Sequence, residues 1–442
     1  MQPNNTTESL ASALAARAEE GRPIRIGLVG SGEMGTDIVT QVRLMRGIVV
    51  AVIADVRGEL GHQAVKIAGW PAEKGVSVDS SQAADRAVAN GKIAIAESFK
   101  IACTAEQVDV VIEATGNPNV GAEVALLAME HGKHVVMMNV EADVTIGAYL
   151  RHKADQAGVV YTLGAGDEPS AAMELVNFVR SLGYPIVAAG KGKNNAFRKD
   201  ATPVEYEDEA RRRNMNPRML VEFVDGSKTM IEMTALANAT GLVPDVAGMH
   251  GPSAQLADLH KVLCPVRDGG ILSRKGVVDF TVAKGVAPGV FVIAEMSHPR
   301  LRERMSDLQM GPGPYYTFFR PYHLTSLEVP LSAAAAVLWR QAHMRPLPVP
   351  VAEVGAIAKK DLAPGAVLAG IGEYCYRGTA LTVEDARRLD AMPLGLAQRA
   401  VVLQPIKAGE YLAHRNCRAD AQLAIVRLRQ MQDTLVRSLA AA

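Results

Sequence analysis

Two lysines and two asparagines stand among glycines in Ala188–Asn195, "AAGKGKNN". The segment follows the apolar run "LGYPIVAAG" (182–190), so it lies at the end of a strand. In an extended chain residues two apart share a face, which sets Lys191 and Lys193 side by side. Two cations on one face suit an anion, or one of them polarises a carbonyl or moves a proton. Asn194 and Asn195 add neutral donors and acceptors for sugar hydroxyls or a carboxylate. The competing reading is a pair of surface lysines beside a turn. A second strand end, "LGAGDEPSAAMELV" (163–176), carries Asp167 and Glu168 before Pro169. Either acid could cap the following helix, or the two could hold a divalent cation or act as acid and base.

The glycines of "VGSGEMG" (29–35) give another kind of chemistry. Gly30, Gly32 and Gly35 have the GxGxxG spacing: one for a tight turn, one for close approach of a pyrophosphate, one for packing of a helix on a strand. Ser31, Glu33 and Met34 complete the turn, and the helix start offers N–H groups to phosphates. Asp55 stands 20 residues beyond Gly35, where an acid accepts hydrogen bonds from a ribose 2′-hydroxyl and favours NAD. Arg57, two residues on, is placed for a 2′-phosphate and favours NADP, so both cofactors stay open. "EATGNPN" (113–119) ends a later strand, and Thr115 and Gly116 could line the nicotinamide ribose.

These residues need strands and helices in alternation. Residues 24–29, 47–57, 108–116 and 133–139 read as buried strands separated by helical patterns, which predicts a doubly wound parallel sheet. Past residue 165 the pattern changes. "VEFVDGSKTMIEMTAL" (221–236) reads as a hairpin turning at Asp225-Gly226, and 289–297 as a further strand, so an α+β second domain is expected. On that hairpin Glu222, Lys228 and Glu232 fall at even spacing and form either a solvated sheet face or part of a substrate site. "GPGPYYTFFRPYH" (311–323), with Arg320 its one arginine, reads as an ordered loop near a site or an interface, and Arg320 is a candidate substrate contact. His250, His298 and His323 are possible acid–base groups or structural histidines. Thr202, Pro203 and Glu205 spell a capping box, followed by a self-paired run of acids and arginines. The prolines of 344–352 read as a stiff linker to a small β-rich module ending in a helix. The expected order is thus a helical extension (1–21), a Rossmann domain (22–165), an α+β catalytic and dimerisation domain (166–343), the linker (344–352) and the module (353–442).

Composition narrows the functional classes. The 442 residues carry Lys+Arg and Asp+Glu at 47 each, which gives no charge excess for nucleic acid or an anionic membrane. Apolar runs fall short of the roughly 18 residues that a span needs, and no secretion signal opens the sequence, so a cytoplasmic location is expected. The four cysteines are far apart and form no CxxC, and no HExxH occurs, so disulfide frameworks and common zinc sites are not indicated.

The N-terminal two thirds resemble the homoserine dehydrogenase superfamily, and "VAEVGAIAKKDLAPGAVLAGIGEY" (351–374) resembles the start of a SAF domain, a β-clip module. With "GDEPSAAMEL", "AAGKGKNN" and "RPYHLTSLE", the chain is similar over residues 20–442 to the 1-deoxy-D-xylulose 5-phosphate reductoisomerase-like proteins. One departure bears on activity. Homoserine dehydrogenases carry a pattern like HVVTANK with a catalytic final lysine, whereas "HVVMMNVEAD" (134–143) places Val140 there. Homoserine oxidation is therefore not expected, and the resemblance implies an NADPH-dependent reductive isomerisation of 1-deoxy-D-xylulose 5-phosphate to 2-C-methyl-D-erythritol 4-phosphate; a dehydrogenase of another sugar phosphate or a short hydroxy acid, and a non-catalytic cofactor-binding sensor, stay open as alternatives. The resemblance further implies assistance by a divalent cation, magnesium or manganese, and a homodimer or larger assembly; by residue type, Asp167 and Glu168 could hold that metal and Lys191 and Lys193 could balance phosphate or oxyanion charge.

Overall fold

In a computed structural model that describes residues 9–195, 197–213 and 215–441, the chain forms two compact units. Residues 1–8 of the expected N-terminal extension lie outside the described residues, and Leu10–Glu19 is a helix capped by Ser9. The first unit takes Met1–Asn139, Leu150–Asp167 and Leu324–Arg345; the second takes Val140–Tyr149, Glu168–His323 and Pro346–Ala442.

The first unit is built on seven parallel strands: β1 (Ile24–Val29), β2 (Ile48–Ala54), β3 (Gly75–Ser77), β4 (Ile93–Ala96), β5 (Val110–Glu113), β6 (His134–Met137) and β7 (Tyr161–Leu163), in the order β3-β4-β2-β1-β5-β6-β7. Order reverses at β1, between β2 and β5, which opens a crevice at the carboxyl ends of the strands. The strands are apolar almost throughout because helices cover both faces, and Ile26, Leu28, Ile53, Val110, Ile112 and Val136 form one core with Ile38 and Val42 of the helix Glu33–Leu44. The sequence marks β1, β2, β5 and β6. β3 and β7 have three residues each, too few for a pattern to stand out, and β4 (Ile93–Ala96) is not marked although it is as long as β5 and β6.

The second unit carries a mixed sheet of β8 (Ile186–Gly192), β9 (Val243–Pro244), β10 (Val277–Thr281), β11 (Val290–Glu295) and β12 (Tyr315–Arg320), ordered β12-β11-β8-β10-β9. β11 runs antiparallel to β8 and β12, whereas β10 runs parallel to β8 and β9. The aromatic segment expected as a loop is therefore an edge strand in its middle part, since tyrosine and phenylalanine fit a pleated, half-buried surface.

A larger correction concerns residues 221–236. They form no hairpin: the helices Pro217–Val224 and Ser227–Thr240 meet at Asp225-Gly226. Gly226 has φ +86°, and Asp225 Oδ1 accepts the Ser227 N–H at 2.8 Å, so Asp-Gly makes its tight turn between helices. Leu220, Val221 and Val224 are buried at helical spacing. From Thr229 to Thr240 the second helix is buried on every side, which erases the amphipathic period that would have marked it.

Residues 346–442 complete the second unit. Asn238 of the buried helix fastens the proline-rich segment: its carbonyl accepts the Leu347 N–H at 2.6 Å and its side-chain oxygen accepts the Val351 and Ala352 N–H groups at 2.9 and 3.0 Å. β13 (Ala352–Ala358) and β14 (Tyr376–Thr382) follow as an antiparallel pair, then β15 (Val401–Val402) and β16 (Cys417–Arg418). In the helix Ala424–Ala441, half-buried Arg429 pairs with buried Glu353 of β13 at 2.5 Å. The capping box forms as the spacing predicts, with the Thr202 N–H and hydroxyl on Glu205 at 2.8 Å, and Arg211 and Arg213 pair with Asp208 and Glu209 in solvent.

Candidate active site

At the end of β1 the turn is shaped by what glycine permits. Gly30 has φ +94°, and a Cβ there would stand 2.7 Å from the Ala114 carbonyl oxygen; at Gly35 it would stand 2.1 Å from the Gly30 carbonyl oxygen. Neither site takes a side chain without moving backbone. At Gly32, the N-cap of the helix Glu33–Leu44, an added Cβ meets nothing within 4 Å, so the backbone is open where a pyrophosphate would approach the helix start. Asp55 follows β2 and locks this turn. Its Oδ2 accepts the Ser31 N–H at 2.8 Å and hydroxyl at 3.1 Å, and its Oδ1 accepts the Arg57 N–H at 3.0 Å. Arg57 is exposed at the start of the next helix. Glu33 is exposed and Met34 half-buried, while Thr115 and Gly116 follow β5, with the Thr115 N–H and hydroxyl donating to buried Glu113. This open, donor-rich turn fits a dinucleotide.

At the end of β8 the second unit sets side chains instead of backbone. Lys191 lies in the strand and is 5% exposed; its Nζ donates to Glu168 Oε1 at 2.5 Å and to Glu232. Glu168 opens the helix Glu168–Ser181, and Glu232 sits mid-helix in Ser227–Thr240, fully buried. Burial alone would lower the Lys191 pKa, yet the two carboxylates overcome it and hold the ammonium charged. Two acids share that one cation, and burial together with the charge of Glu168 pushes Glu232 up to about 7. His323 Nε2 approaches Glu168 Oε1 at 3.5 Å.

Lys193, just past the strand, is also buried and donates to the Phe223 carbonyl at 2.6 Å. Burial and the charge of Lys191 bring its pKa down to about 8. Lys228 pairs with Glu141 at 3.1 Å, and Arg218 with Glu222 at 3.1 Å; burial and Glu141 push Glu222 up to about 7. Asp225 and Lys359 form a further buried pair at 2.6 Å.

The two lysines of "GKGKNN" and Glu168, Lys228 and Glu232 thus belong to one buried polar network. Asn194 is exposed and Asn195 half-buried beside it in the chain. Asp167, half-buried, precedes Glu168 as the last residue of its segment of the first unit. Arg320 is elsewhere engaged: it pairs with Glu174 at 2.9 Å and stacks over Tyr322. His298 caps the helix Pro299–Asp307, and His250 bonds Asp245 at 2.8 Å. Glu141, Asp225 and Lys359 were missed. The hairpin reading of 221–236 hid Asp225, and nothing in the local sequence around Glu141 or Lys359 points to their distant partners. As hard oxygen donors Glu168 and Glu232 match the taste of magnesium or manganese, but the Lys191 ammonium already stands between them and repels a second cation.

Two family models match the chain. Residues 30–163 match the family described as "Homoserine dehydrogenase, NAD binding domain", and residues 166–329 the family described as "Oxidoreductase DRL, catalytic domain". No curated protein matches the chain in sequence. Similar solved structures include one assigned as a myo-inositol dehydrogenase from Sinorhizobium meliloti 1021 (12% identity, 72% of this chain and 90% of that one, TM-score 0.40). Others are a "probable dehydrogenase" from Thermotoga maritima (14%, 61% and 72%, TM-score 0.37) and a scyllo-inositol dehydrogenase from Lactobacillus casei (16%, 62% and 73%, TM-score 0.33). At such distances they carry no substrate over.

The two family matches define the class: the chain is an oxidoreductase that uses NAD(P). Among the described residues no helix is long and apolar enough to cross a membrane.

Proposed function

We propose that the enzyme reduces a small phosphorylated sugar, and that this sugar is 1-deoxy-D-xylulose 5-phosphate. In that reaction a carbon–carbon bond of the hydroxyketone breaks and a new one forms, giving a branched aldehyde. Hydride from NAD(P)H and a proton then convert it to 2-C-methyl-D-erythritol 4-phosphate. The observation that carries the reading is the Lys191 ammonium fixed between Glu168 and Glu232 inside the segment matched by the oxidoreductase catalytic family. A preorganised cation in a dry site stabilises the oxyanion that develops when the skeleton rearranges and when hydride arrives. Lys193, with its pKa near 8, is suited to exchange a proton near neutrality. Asn194 and Asn195 would meet sugar hydroxyls, and Lys228 would take phosphate charge. Arg320 would do so only by leaving Glu174. A divalent cation at Asp167 and Glu168 would first have to displace the Lys191 ammonium from Glu168. Strand β12, which stands at an edge of its sheet, would be the place for assembly as a homodimer or larger.

A second reading, a dehydrogenase of another sugar or short hydroxy acid, is favoured by one fact. Lys191, Lys228 and Arg320 each already face a carboxylate, which leaves little positive charge for a phosphate dianion. Loss of NAD(P)H absorbance decides between them, measured with deoxyxylulose phosphate and with unphosphorylated polyols and aldehydes, each with and without magnesium or manganese. Sugar-phosphate-dependent oxidation of the cofactor supports the first reading. Turnover only of other substrates sinks it. The same assay with NADPH against NADH shows whether Arg57 or Asp55 governs the choice.

A further inference from the structure

The first unit holds another cavity, of about 610 Å³, at the opposite end of β1 from the glycine turn. Its wall includes Arg25, the second residue of β1, and Ile93, the first of β4, whereas the turn follows Val29. At about 3.3 Å per residue the two ends of β1 stand some 15–20 Å apart. The volume falls in the range of small-molecule sites.

The charge of this cavity is lopsided. Arg17, Arg22, Arg25, Lys74 and Lys92 line it against a single carboxylate, Asp109, in a chain whose charges otherwise balance at 47 each. Arg25 is matched by Asp109 at 2.9 Å, and Arg22 by Glu20. The lysines are held differently. Lys74 Nζ donates to the Gly91 carbonyl at 2.6 Å, and Lys92 Nζ to the Glu73 carbonyl at 2.9 Å. A carbonyl fixes an ammonium in place without supplying a countercharge, so both half-buried lysines retain further N–H donors for a ligand. Trp70, under Arg43 at 5.4 Å, adds a flat apolar wall.

We propose that this cavity binds a small polyphosphate-bearing anion, with Lys74 and Lys92 taking its charge and Trp70 packing against its body. The site is distinct from the glycine turn and does not depend on which sugar the enzyme reduces. The test uses the full chain with Trp339→Phe, which leaves Trp70 the sole tryptophan. Inorganic pyrophosphate is titrated with excess NAD⁺ present to fill the dinucleotide site, and Trp70 emission is followed. A saturable change is expected that weakens as salt rises and loses on the order of tenfold or more in affinity in Lys74→Gln/Lys92→Gln, as charge-assisted hydrogen bonds vanish. No saturable change, an unchanged affinity in the double variant, or competition by NAD⁺ would overturn the proposal. Circular dichroism of the double variant keeps a folding defect from passing for lost binding, and Lys74→Arg/Lys92→Arg should restore it.

Discussion

At the end of β1 the chain prepares for its ligand with backbone; at the end of β8 it does so with side chains. The first arrangement needs small residues and free N–H groups, and its one prominent charge, Asp55, ties the turn to the next strand. The second places Lys191 among buried acids whose mutual repulsion and burial are offset by that ammonium. A backbone site tolerates change wherever no atom is near, whereas a buried charge network fails when any one partner is removed, because the remainder is left uncompensated in a poor solvent for charge. The two regions should therefore break differently.

The largest effect is expected from Lys191→Met. It strands Glu168 and Glu232 without their cation and should cost on the order of 3–5 kcal/mol in denaturant unfolding, with turnover lost. Adding Glu232→Gln removes one of the stranded charges and should return much of the stability without returning activity. If the single variant unfolds like the parent protein, the side-chain side of the contrast is wrong.

Next comes a pair of alanines in the turn. Gly35→Ala drives a Cβ to 2.1 Å from the Gly30 carbonyl oxygen, so backbone must shift, at about 1–3 kcal/mol of stability and with loss of NAD(P)H binding. Gly32→Ala meets nothing within 4 Å. It should change stability by less than about 1 kcal/mol while raising the Kd for the cofactor, because its methyl group enters the space of the pyrophosphate. Thermal unfolding with a fluorescence titration of NADH separates the two outcomes, and equal destabilisation by both alanines would contradict the geometry.

This contrast also explains what was legible in the sequence. The glycine turn could be read because its function depends on local spacing: Gly30, Gly32, Gly35 and Asp55 mean the same thing in the sequence and in the fold. Lys191 and Lys193 were legible as a pair at a strand end. Their partners were not, because Glu232 reaches Lys191 across 41 positions of sequence, and its helix is buried from Thr229 to Thr240 and so shows no amphipathic period. Asp225-Gly226 then tipped residues 221–236 towards a hairpin, since the same dipeptide serves a turn between strands and a turn between helices. Arg320 was singled out as the charge of an aromatic segment, but its partner Glu174 lies on another element, and such pairing cannot be read along the chain. The three-residue strands β3 and β7 escaped because so short a run owes its existence to neighbours in the sheet.

The smallest of these effects is a dependence on pH, and it should arise from the second unit. Glu222 and Glu232 are raised from 4.5 to about 7 by burial and a neighbouring carboxylate. Between those values the folded protein holds protons that the unfolded chain releases, so their contribution is complete below about pH 4.5 and is lost as pH rises through about 7. Lys193 acts in the other direction: its pKa falls from 10.5 to about 8, so the unfolded chain binds the extra proton and stability recovers as pH climbs from about 8 to 10.5. Unfolding free energies measured at about pH 5 and pH 7.5 should thus fall with pH in the parent protein. The fall should be smaller, by on the order of 1–2 kcal/mol, in Glu222→Gln, which cannot ionise. Glu222 lies on the helix Pro217–Val224 and pairs with Arg218, away from the Lys191 ammonium, so this variant reads the buried acids without removing the cation that holds Glu168 and Glu232. An unchanged slope in Glu222→Gln would mean that Arg218 and Lys228 keep the acid ionised throughout, and that the buried network is a set of closed ion pairs with no proton to give.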